Sequence, residues 1–108
     1  LIIEDRISLP VNFVDGVFTI GRAHQEYFEN FEFQGTMNTI SNDHCFIKKV
    51  DGEFYLFENE DNPSTNHTYI KDGKRYSPIV PGQLYRIDLG DTFMVFAVKV
   101  RIVEDDIC

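Results

Sequence analysis

Ser41 and His44, three residues apart in "ISNDHCFIKKV" (40–50), are the residue types of a nucleophile and its base. That chemistry needs contact between hydroxyl and imidazole, and a third group to orient the ring. On an extended chain an odd spacing sends the two side chains to opposite faces. No G-x-S-x-G elbow exposes the serine. No catalytic residue is assigned. The histidines, His24, His44 and His67, lie far apart with no H-x-x-x-H spacing. Cys45 and Cys108 offer neither a zinc spacing nor a disulfide framework. No metal or cofactor is expected. Cys45, inside an apolar run, reads as a buried small hydrophobe. Glu58, Glu60 and Asp61 read as a solvated loop and edge rather than acid–base machinery. "NHT" at 66–68 fits the N-glycosylation pattern, but so loose a pattern matches often by chance.

Anion binding fares better. "FTIGR" ends an apolar run with Gly21 and Arg22. Glycine permits a tight bend, and arginine presents a planar fork suited to phosphate. Ser41 and Asn42 offer a hydroxyl, an amide and turn N–H groups. Ser64, Thr65 and Asn66 offer the same chemistry on another loop. Each piece alone is ordinary turn chemistry; the order of the set is the informative part.

Short strands must position these loops. Alternating or apolar runs recur every 8–12 residues or so, punctuated by turns, which predicts an all-β sandwich or barrel. "RISLPVNFV" runs to Asp15-Gly16, and "VFTIG" follows. "FEFQ" ends at Gly35, and Asp51-Gly52 joins "HCFIKKV" to "EFYLFENE". Asp-Gly between apolar runs signals a hairpin. Pro63 keeps "DNPSTN" out of a central strand. "HTYIK" closes at Asp72-Gly73, "LYRIDL" alternates to Gly90-Asp91, and "TFMVFAVKVRIV" reads as one last stretch. "AHQEYFENF" (23–31) reads as loop with a single helical turn. The tail "EDDIC" reads as frayed.

The 108 residues suit one domain, 1–108, able to bury a core without staples. Net charge is −8, with basic residues scattered, so direct binding of nucleic acid is not expected. No apolar run reaches a membrane span. The first residues do not read as a signal peptide. A start at Leu1 suggests a piece excised from a larger protein, and cysteine usage fits a reducing compartment.

The order Gly21-Arg22, Ser41-Asn42-Asp43-His44, Ser64-Thr65-Asn66-His67-Thr68 and Gly90-Asp91 resembles the forkhead-associated (FHA) domain. "TYI" and "LYRIDLGDTFMVFA" resemble its strand pattern, and the likeness covers about residues 15–98. The resemblance implies a two-sheet, mostly antiparallel β-sandwich, FHA/SMAD-like, that reads phosphothreonine peptides and is not an enzyme, although the parent chain could carry a kinase or another catalytic domain. It implies that Arg22 forks onto the phosphate, Ser41 donates its hydroxyl, Asn42 adds a contact and Thr65 lines the pocket. Asn66 would bond the peptide backbone, with Gly21 and His44 as scaffold. His67 stands where the family has glycine. Thr39 stands where some members carry an arginine that reads an acidic residue three positions after the phosphothreonine, so such a residue is not expected to be favoured here. The resemblance further implies a monomeric, intracellular, more nuclear than cytoplasmic signalling module of checkpoint, DNA-damage or cell-cycle type, partnered by a phosphothreonine-containing protein. The alternative is an FHA-like scaffold for phospho-independent interaction or dimerisation.

Overall fold

The computed structural model describes residues 1–103; the tail "EDDIC", with Cys108, lies outside the described residues. Its regular structure is almost entirely strand. β1 (Ile2–Ile3) and β2 (Ile7–Ser8) form an opening hairpin, and β3 (Val17–Ile20) leads to the one-turn helix α1 (Glu26–Glu29). A small hairpin, β4 (Glu32–Phe33) and β5 (Thr36–Met37), precedes β6 (Cys45–Val50) and β7 (Glu53–Phe57). Then come β8 (Thr68–Asp72), β9 (Arg75–Pro78), β10 (Tyr85–Ile87), β11 (Thr92–Val95) and β12 (Val98–Arg101).

Two antiparallel sheets make the sandwich, ordered β2-β1-β12-β11-β8-β9 and β10-β7-β6-β3, with β4-β5 apart. Alternation builds the core. β3, β7, β11 and β12 each bury every second residue. Phe18, Ile20, Ile47, Leu56, Phe93, Val95, Val98 and Val100 therefore face inward together. Burying each such side chain stabilises by about 1.5–3 kcal/mol. Cys45 is fully buried among them, and burial pushes its thiol up. The exposed edge strand β9 ends in Pro78, which withholds one N–H from a would-be pairing strand.

Turn chemistry fixes the registers, with three departures from the sequence reading. Asp51 and Gly52 both take positive φ, 52° and 80°, and join β6 to β7. The "HTYIK" turn sits one residue later than Asp72-Gly73: Asp72 pairs with Arg75, leaving Gly73-Lys74 as the turn. "TFMVFAVKVRIV" is not one strand. It folds back at Phe96-Ala97, with Phe96 at φ 51°, so that Val95 faces Val98. A phenylalanine in this region is disfavoured by about 1–2 kcal/mol. Its ring packs edge-on against Phe33, centroids 4.9 Å apart, which holds it there. "RISLPVNFV" contributes β2, a bridge residue at Val11 and an isolated bridge from Val14 to Val17 rather than one strand.

Candidate functional site

Three loops meet at one end of the sandwich. The first leaves β3 through Gly21 and Arg22. The second is the turn 41–44 before β6, and the third is the 63–67 loop between β7 and β8. The first two are laced by backbone bonds: Arg22 N–H to Ser41 O at 3.0 Å, and Ala23 N–H to Asn42 O at 3.3 Å. Gly21 makes this closeness possible. A Cβ there would lie 2.1 Å from the Asn42 carbonyl oxygen.

His44 explains the Ser-x-x-His spacing. Residues 41–43 lie in a turn rather than on an extended chain, so the odd-spacing rule does not govern them. The His44 ring is fully buried. Its Nδ1 accepts the Ser41 backbone N–H at 3.1 Å, and its Nε2 therefore carries the hydrogen donated to His67 O at 2.8 Å. Burial holds its pKa below the ordinary imidazole value, against the smaller opposing effect of the His67 hydrogen bond. Both ring nitrogens serve backbone groups, and neither activates the Ser41 hydroxyl. His67 sits at φ 71°, the conformation that glycine adopts freely.

Ser41 Oγ accepts the Thr65 N–H at 3.1 Å, tying the second loop to the third while leaving its own hydrogen for a ligand. The Asn66 side-chain amide donates to Thr39 O at 2.7 Å. The Thr39 hydroxyl is buried. Arg22 Nε donates to Ile40 O at 3.0 Å, which aims the guanidinium. Among the described residues no carboxylate lies within ion-pair distance of Arg22.

The result is a polar pocket of about 250 Å³ lined by Arg22, Asn38, Ser41, Asn42, Asp43, Asn62, Pro63 and Thr65. Four of the residues singled out from sequence line it together: Arg22, Ser41, Asn42 and Thr65. Asn66 lies beside it, turned onto Thr39. Gly21 and His44 sit behind it. Asn38, at φ 63°, was not singled out; it follows a short strand with no motif to mark it.

Glu58 overturns the reading of a solvated acidic stretch. It is 2% exposed, and its two carboxylate oxygens accept the Ser64 N–H at 2.7 Å and the Ser64 hydroxyl at 2.8 Å. The loop doubles back over it, so Glu58 anchors the residue next to Thr65. Among the described residues no three His, Cys, Asp or Glu side chains gather as a metal site.

A β-sandwich whose loops gather an arginine with hydroxyl and amide groups is a binding scaffold. Its family is identified directly: a model of the FHA domain matches residues 18–95, so the chain belongs to the FHA-domain family. A comparison with curated proteins finds no match. FHA domains are non-catalytic modules that bind phosphothreonine-containing proteins.

Proposed function

We propose that this domain reads phosphothreonine through the pocket between its three loops. Arg22 forks onto the phosphate, Ser41 donates its hydroxyl, and Asn42 and Thr65 complete the cradle. The observation that carries this reading is the convergence of these four residues, from three separate segments, on one pocket of about 250 Å³. A phosphomonoester carries about −1.5 to −2 charges and accepts several hydrogen bonds. Charge-assisted bonds contribute about 1.5–3 kcal/mol each, enough for micromolar-class binding of a short extended peptide. Asn66, already bonded to Thr39, fixes the rim over which the peptide backbone runs. The Thr39 hydroxyl is buried and offers no cation, so an acidic residue three positions after the phosphothreonine is not selected. The domain acts as a monomeric module of an intracellular, nuclear signalling protein.

An oriented phosphothreonine peptide screen with a phosphoserine control, followed by titration of the best peptide, tests this. Arg22→Ala should weaken binding about 10- to 100-fold, the loss of one charged partner. An affinity unchanged by Arg22→Ala, or binding that survives dephosphorylation, refutes the phosphate clamp and favours a phospho-independent scaffold. Selection of Asp or Glu at the third following position refutes the role given to Thr39.

A further inference from the structure

The pocket contains a group that opposes its proposed ligand. Asp43, the residue before His44, lines it together with Arg22, Ser41, Asn42 and Thr65. Its carboxylate is half exposed, and one oxygen lies 2.5 Å from His24 Nε2. His24 belongs to the Gly21–His24 turn that also delivers Arg22, and its backbone N–H bonds Gly21 O at 3.0 Å. The recess on the other side of His24 is lined by Asn12, Val14, Val17, Phe18, Thr19 and Gln25, none of them charged. Of the charged groups around the imidazole, Asp43 faces it directly and Arg22 shares its turn. Among the described residues that line the pocket, Arg22 is the cation and Asp43 the anion, so their formal charges cancel.

We propose that Asp43, held against His24, is a specificity-determining residue of this pocket. This rests on the phosphate reading above. The Asp43 carboxylate stands on the wall of the pocket against the phosphate and weakens its binding, so the pocket holds a phosphodianion less tightly than Arg22 alone would.

The probe is an acetylated, amidated heptapeptide with phosphothreonine at its centre and alanine elsewhere, titrated by NMR at low salt. A pocket of about 250 Å³ sets the phosphate within about 8 Å of Asp43. At that separation, through water-like screening, Asp43→Asn should tighten binding about 3- to 6-fold at pH 8. Urea midpoints of the variants establish that they are folded. If Asp43→Asn leaves affinity at pH 8 unchanged while Arg22→Ala abolishes it, this proposal fails and the phosphate pocket stands. If Arg22→Ala changes nothing, the phosphate reading itself is wrong.

Discussion

Replacing Gly21 by alanine tests how the pocket is assembled. Gly21 needs no unusual φ; what it supplies is room. An added Cβ would lie 2.1 Å from Asn42 O, 2.7 Å from the Asn42 carbonyl carbon and 2.8 Å from Ser41 O. All three are backbone atoms, so no side chain can swing aside, and the loops must part by about 1 Å to restore ordinary contact. Three bonds cross that seam: Arg22 N–H to Ser41 O at 3.0 Å, Ala23 N–H to Asn42 O at 3.3 Å and His44 N–H to Ile20 O at 2.9 Å. Opening by about 1 Å breaks at least two of them. At about 0.5–1.5 kcal/mol per bond, with residual strain, the loss is about 2–4 kcal/mol. For a domain of this size the Tm should fall by about 10–20 °C, and the urea midpoint with it. Phosphopeptide affinity should fall as well, even where the protein is fully folded, because Arg22 and Ser41 move apart. Gly52→Ala is the control. Its Cβ meets nothing within 4 Å, and only its φ of 80° opposes the change, so it should cost about 1 kcal/mol and leave binding alone. A Gly21→Ala variant within 0.5 kcal/mol or so of wild type, and still binding, would show that the close approach of these loops is not what builds the site.

Two further expectations concern the supports of the pocket. His44 is held below the ordinary imidazole pKa, so the unfolded chain takes up a proton first as pH falls. The stability tied to neutral His44 is complete above about pH 6.5 and is lost as pH drops below it toward the folded value, with a slope approaching 1.4 kcal/mol or so per pH unit. Urea titrations between pH 7.5 and 5.5 should show that slope in wild type and lose it in His44→Gln; equal slopes would remove His44 as its source. Glu58→Gln keeps the shape but replaces one acceptor oxygen by a donor, leaving one Ser64 donor unmet. Destabilisation of about 1–3 kcal/mol is expected from urea midpoints, with NMR shifts at Thr65, and silence at Thr65 would argue against the anchor.

Local rules explain which parts were legible in the sequence. Apolar runs bounded by turn residues marked β3 and β7, whose alternate residues are buried, and Asp51-Gly52 marked its hairpin because few other residues accept those φ values. Phe96 gave no such sign. Its left-handed turn is held by Phe33, a partner distant in sequence, so tertiary packing overrode local preference. Glu58 was misread for the same reason: nothing beside a glutamate in a chain announces that Ser64 will bond both of its oxygens. The motif order did pick out Arg22, Ser41, Asn42 and Thr65, four residues that the structure gathers around one pocket. It could not show that Asp43 lines the same pocket, or that His24, nineteen residues away, meets it.

The buried imidazole of His44 has a kinetic consequence. By holding Ser41 N–H and His67 O at once, it makes two loops move as a single body, and the Thr65–Ser41 bond adds a second tie between them. A site assembled before its ligand arrives loses little freedom on binding. Encounter then requires alignment rather than rearrangement, and association rates should differ little from one peptide to another. Discrimination among peptides would be expressed in how long each one stays.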